Sequence, residues 1–132
     1  MGDEAPAPQL WLSLRAANAR GLIHFLVEVF GFVEVAVYGD GEDVAHAQLN
    51  WPLGGGVMLG SYQGGELPPL PGMAAAYVVT DDPDGLFARA QEAGATIVTP
   101  LNDTDYGSRT FSVRDPEGNL WSFGTYRGEP LP

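Results

Sequence analysis

The chain has 132 residues, no cysteine, and seventeen acidic side chains against six arginines, for a net charge of −11. A domain of this size buries roughly two-thirds of the surface its unfolded chain exposes. The composition excludes disulfides, a thiolate nucleophile and sulfur-ligated metal. It leaves no basic surface for a phosphate backbone, so nucleic acid is not an expected partner.

Residues 1–8, MGDEAPAP, have neither a basic segment nor an apolar stretch, and read as a disordered tail and not a secretory leader. No run approaches the ~20 apolar residues of a membrane span, so no membrane partner is expected and the chain reads as cytoplasmic. From Gln9 to Arg15 the residues alternate, with Leu10, Leu12 and Leu14 on one face and Gln9, Trp11 and Ser13 on the other, which predicts a strand. Asn18 is suited to cap a helix whose apolar stripe is Leu22, Phe25, Leu26, Val29 and Phe30. Gly31 stands where a left-handed C-terminal cap is wanted. His24 lies off the stripe and reads as a solvated helix-face residue.

Phe32 to Tyr38 predicts a second strand, and Gly39-Asp40-Gly41 turns the chain. Val44 to Asn50 alternates again, with Ala45, Ala47 and Leu49 opposed to His46, Gln48 and Asn50. Trp51 to Gly56 makes a tight connection to a strand over Val57 to Tyr62. Residues 63–72 are rich in glycine and proline and read as a linker between module one (9–62) and module two (73–127). Module two opens with a strand over Met73 to Thr80. Asp82-Pro83 then starts a helix with the stripe Leu86, Phe87, Ala90 and Ala93, closed by Gly94. Ala95 to Thr99 is a short strand. The module ends in a hairpin: Phe111 and Val113 alternate with Thr110 and Ser112, Asp115-Pro116-Glu117-Gly118-Asn119 turns, and Trp121 and Phe123 alternate with Ser122 and Gly124.

The two halves are one unit used twice. Shifted by 64 positions, Trp51-Pro52-Leu53-Gly54 falls on Asp115-Pro116-Glu117-Gly118, Val57-Met58-Leu59 on Trp121-Ser122-Phe123, and Tyr62 on Tyr126. The helix stops Gly31 and Gly94 miss by one. Each unit reads β-α-β-β-β, and each helix must cover one face of its sheet. The apolar set, from Leu10, Leu12 and Leu14 to Trp121 and Phe123, belongs on that face. The other face keeps Trp11, Ser13, His46, Gln48, Met58, Tyr62, Ala75, Tyr77, Thr110, Ser112 and Ser122, a mixture of rings, small residues and hydrogen-bonding groups that suits a ligand cleft.

The segment Leu22-Ile23-His24-Phe25-Leu26-Val27-Glu28-Val29-Phe30-Gly31-Phe32, together with Tyr106-Gly107-Ser108-Arg109 and Val113-Arg114-Asp115-Pro116-Glu117-Gly118-Asn119-Leu120-Trp121, resembles the vicinal oxygen chelate superfamily, the glyoxalase, bleomycin-resistance and extradiol-dioxygenase group. The resemblance spans about residues 9 to 127. It implies an α+β fold of two βαβββ modules related by a pseudo-twofold, with a curved mixed sheet forming an open cleft, in a homodimer. Metal-dependent members carry His, Gln or Glu on the first and last strands of each module. The matching positions here hold Trp11, Met58, Ala75 and Ser122, none of which is a ligand for a hard or borderline divalent ion. No metal and no cofactor is therefore expected, with Gln9, Gln48 and His46 the only donors left nearby.

The leading expectation is a metal-free protein that sequesters a drug-like or aromatic metabolite, as resistance proteins do. Trp11, Met58, Tyr62 and Tyr77 would offer apolar and stacking walls, and an aromatic or cationic ligand would gain from the rings and from the acidic field. Ser13, His46, Gln48, Thr110, Ser112 and Ser122 would orient it, with Tyr106 and Arg109 at the mouth. A second expectation is an enzyme of the same superfamily, a lyase, isomerase or dioxygenase-like member, with His46 as the candidate general base. A third is an accessory or regulatory domain that binds protein through its free sheet face.

Overall fold

Residues 7–132 are described in a computed structural model; of the tail read at 1–8, residues 1–6 lie outside the described residues. Module one runs β1 (Leu12–Ala16), α1 (Ala19–Phe25) continued by one π-helical turn (Leu26–Phe30), β2 (Val33–Asp40), β3 (Asp43–Asn50) and β4 (Gly56–Ser61). Module two runs β5 (Ala75–Val79), α2 (Pro83–Glu92), β6 (Thr96–Asp103), β7 (Arg109–Arg114) and β8 (Leu120–Gly124). Each module forms its own four-stranded mixed sheet, in the orders β1-β4-β3-β2 and β5-β8-β7-β6.

The repeat is kept in the strand register itself. Leu12 pairs with Val57 and, 64 residues on, Ala76 pairs with Trp121; Ala47 pairs with Leu59, and Phe111 with Phe123. The helix caps repeat as well: Asn18 accepts from the Gly21 N–H and Asp82 from the Gly85 N–H, each at 3.0 Å. The helix ends explain the mismatch between Gly31 and Gly94. A π turn holds one more residue than the α turn it replaces, and only the module-one helix carries one. Gly31 closes it in the left-handed conformation, at φ 90°.

Three apolar assignments differ from the sequence expectation. Leu10 precedes β1 and is 87% exposed. Ala45 is exposed because a bulge separates the pair Tyr38–His46 from Gly39–Val44. One extra residue reverses the inward phase of a strand, so Val44 is buried in its place. Ala93 is exposed at the C-terminal end of α2.

The helix-covered faces of both sheets share one core. Phe30 packs edge-on against Trp121 and Phe123, with centroids 5.6 and 4.7 Å apart, and Trp51 reaches Phe123 at 5.9 Å. Each hairpin turn also crosses to the strand–helix junction of the other module. The Glu117 carboxylate accepts the backbone N–H groups of Ala17 and Asn18 at 2.7 and 2.9 Å. The Trp51 indole donates to the Val79 carbonyl at 2.8 Å. With the helix faces turned to one core, the uncovered faces of the two sheets point outward from the chain on separate sides.

Candidate functional site

The uncovered face of module one is set by β1, β4 and β3. Because Leu14 and Ala16 are buried, Ser13 and Arg15 project to the other side. Trp11, just before β1, lies over Gly56 and donates its indole N–H to the Pro8 carbonyl at 3.2 Å. Met58 stands beside Ser13, its register partner. Arg15 pairs in register with Gly60, and its guanidinium occupies the space where a Cβ at Gly60 would sit. His46 lies next along β3 beyond the Ala47–Leu59 pair, its ring stacked on Tyr38 at 6.4 Å. Gln48 donates to Asn50 at 2.9 Å. The Tyr62 hydroxyl donates to the Gly65 carbonyl. No carboxylate orients His46 among the described residues, so a general base there would have no partner among them.

The matching face of module two is more nearly closed on itself. Ser112 and Ser122 hydrogen-bond to each other at 2.8 Å. Tyr77 lies over Gly124 and donates to the Tyr126 carbonyl at 2.6 Å. Arg109 binds Asp84 at 2.7 Å and Asp103 at 3.1 Å, and these two carboxylates, Asp84 foremost, raise its pKa. Tyr106 is exposed and packs edge-on against Tyr126 at 5.4 Å. The Tyr126 hydroxyl donates to Glu129, which together with burial raises its pKa. Thr110 sits opposite Gly124 on the same face.

Apart from Arg109, which shares the phase of buried Phe111 and reaches Asp84 on α2, the residues singled out in the sequence divide between two outward faces. Trp11, Ser13, His46, Gln48, Met58 and Tyr62 lie with module one, and Tyr77, Tyr106, Thr110, Ser112 and Ser122 with module two. Sequence reasoning missed Arg15, although the alternation of Trp11 and Ser13 extends to it. It also missed a cleft of about 360 Å³ at the seam between modules, walled by Leu12, Phe32, Trp51, Val57, Ala76 and Trp121, with Arg127 among its lining residues. That volume lies within the range of small-molecule sites. The signal was Ala76, whose methyl group leaves space that a larger side chain would fill.

The family metal does not fit these residues. Its matching positions offer an indole, a thioether, a methyl and a hydroxyl, and the Ser122 hydroxyl is already bonded to Ser112. Among the described residues no three His, Asp or Glu side chains converge to hold an ion.

The model of the Glyoxalase/Bleomycin resistance protein/Dioxygenase superfamily matches residues 9–123, and the chain belongs to that family. An uncharacterized protein of Mycobacterium tuberculosis (strain ATCC 25618 / H37Rv) is 36% identical over 131 residues, covering 89% of this chain and 74% of its own. The crystal structure of TioX from Micromonospora sp. ML1 superposes with a TM-score of 0.76 at 31% identity, over 89% of this chain and 98% of that one. TnmS3, an antibiotic binding protein from Streptomyces sp. CB03234, shares the fold with a TM-score of 0.68 at 24% identity, over 91% and 96% of the two chains. No helix among the described residues is long and apolar enough to cross a membrane.

Proposed function

We propose that this chain is a metal-free small-molecule binding protein, a cytoplasmic homodimer that sequesters a drug-like or aromatic metabolite on its uncovered sheet faces. The observation that carries this reading is the make-up of the module-one face. Trp11, Met58 and Tyr62 supply rings and a thioether beside Ser13, Arg15 and His46, three donor side chains with no hydrogen-bond partner among the described residues. Apolar walls with a few convergent polar groups are the usual make-up of a ligand site. The fold is also that of TnmS3, an antibiotic binding protein.

The outward placement of the two faces supports the homodimer. Each is one wall, and a ligand enclosed on both sides needs a second copy to bring its module two against module one. β1 and β5 each pair on one side only and leave a ladder edge for that contact. Light scattering on the purified chain is expected to give twice the monomer mass; a monomer at micromolar concentration would remove the second wall.

Three tryptophans make the site readable. Trp11 lies on the module-one face, whereas Trp51 and Trp121 line the seam cleft. A panel of planar aromatic antibiotics is expected to quench the wild type, and Trp11→Phe to abolish most of that change. No quenching and no shift in melting temperature across the panel would overturn the binding reading. Quenching that survives Trp11→Phe but is lost in Trp51→Phe would move the ligand to the seam cleft, a reading its volume supports. Stoichiometric metal in protein purified without chelator would overturn the metal-free half.

A further inference from the structure

We propose that the module-one face recognises an aromatic ligand through a carboxylate, and that Arg15 receives it; this rests on the binding reading above and names its ligand class. The chain has six arginines, and five are engaged. Arg20, Arg89 and Arg114 donate to backbone carbonyls, and Arg109 and Arg127 pair with aspartates. Arg15 is the one with no acceptor among the described residues, in a chain with seventeen acidic side chains to draw on.

Gly60 leaves room for the Arg15 guanidinium on the sheet, and its donors are unused among the described residues. Arg15 lies along the sheet over Gly60, where any larger residue would collide with it. One tip of the guanidinium, Nη1, rests against Gly60, and its donors make no hydrogen bond among the described residues, so the fork is available to a carboxylate in two parallel bonds. Two recesses adjoin it. One of about 60 Å³ is shared with Ser13, His46 and Met58. The other, of about 230 Å³, is walled by Tyr62, Leu67, Pro68 and Pro69 from the linker. The second is mainly apolar, with Gln63 also in its wall, and is sized for a ring, and the first carries further donors at its side. A ring seated on the linker wall therefore brings a carboxylate on its edge to Arg15.

The repeat strengthens the assignment. The position 64 residues after Arg15 is Val79, and Gly124, the counterpart of Gly60, is covered by the Tyr77 hydroxyl instead, which is satisfied by Tyr126. The cation is thus particular to one module and is not required by the fold. The net charge of −11 does not oppose this. Exposed charges beyond about 8 Å are largely screened at physiological ionic strength, and the group in contact decides which ligand charge is held.

The test uses 2-naphthoate, 2-naphthamide and (2-naphthyl)methylammonium, titrated calorimetrically into the full chain. Naphthoate is expected to bind about tenfold or more tightly than the amide, the low end for hydrogen bonds to a charged group. Arg15→Met should bring naphthoate down to the amide's affinity, and Arg15→Lys should restore part of the preference. The melting temperature of Arg15→Met is read alongside, and one within error of the wild type shows that the loss is local. Amide and acid binding equally, or the ammonium binding most tightly, would overturn the carboxylate assignment and leave the binding reading standing. If none of the three binds, the carboxylate assignment is overturned, and the antibiotic panel above decides the binding reading separately.

Discussion

Compared face against face, the two modules show one backbone turned to two uses. Their strand registers coincide at a 64-residue offset, at both the parallel and the antiparallel pairings. Their uncovered faces do not match. In module two the polar side chains of this face largely spend their hydrogen bonds within the module: Ser112 with Ser122, and Tyr77 with the chain at Tyr126. In module one Ser13, Arg15 and His46 leave theirs to solvent or a ligand. The turns differ in the opposite sense. Asp115 in module two is a buried acceptor of four hydrogen bonds, from the backbone of Glu117 and Asn119, the Asn119 amide and the Trp121 indole. The side chain of Trp51, its counterpart, makes one, to Val79. Module two is therefore the tightly satisfied half, and module one is the half whose outward polar side chains keep unused hydrogen-bonding groups.

The largest test of that contrast is Asp115→Ala. It strands the indole of Trp121 and the amide of Asn119, both buried, and is expected to cost about 3 kcal/mol or more in urea denaturation. A loss under about 1 kcal/mol would show that the hydrogen bonds of this turn do not set module two apart. Glu117→Ala removes the carboxylate that caps the start of the module-one helix from across the seam, and should cost about 1–2 kcal/mol. Trp51→Phe keeps a ring in the core but gives up the bond to Val79, for about 1 kcal/mol. If Trp51→Phe proved as costly as Asp115→Ala, the two turns would be equals and the asymmetry would dissolve.

The smallest effects concern the faces. Ser13→Ala and His46→Ala should leave stability within about 0.5 kcal/mol while weakening whichever aromatic ligand the panel identifies. The double variant Ser112→Ala, Ser122→Ala removes a pair that satisfies itself, and should change stability equally little. In the homodimer proposed above, its effect on affinity measures what the second wall contributes. Equal losses of affinity from both sets would mean that the modules share recognition evenly.

Much of this was written in local pattern. Strand alternation, the caps Asn18 and Asp82, the glycine stops and the 64-residue period depend on residues near in sequence, and each reappears in the structure. The π turn before Gly31 showed only as an offset of one between helix stops, because a turn that widens by one residue leaves the apolar stripe readable. The bulge at Ala45 left no trace in composition, since alanine suits either face of a strand.

What tertiary structure alone decided is which way the two faces point and which groups remain free. Alternation assigns a residue to one side of its strand, but only the packing of Phe30 against Trp121 and Phe123 turns both helix-covered sides to a common core. That placement sends the other sides apart. Likewise, nothing in the chain around Arg15 distinguishes it from the five arginines that found acceptors. A hydrogen-bond partner lies wherever the fold brings a carbonyl or a carboxylate, often far away in sequence, so a residue without one is identified only once the whole chain is in place.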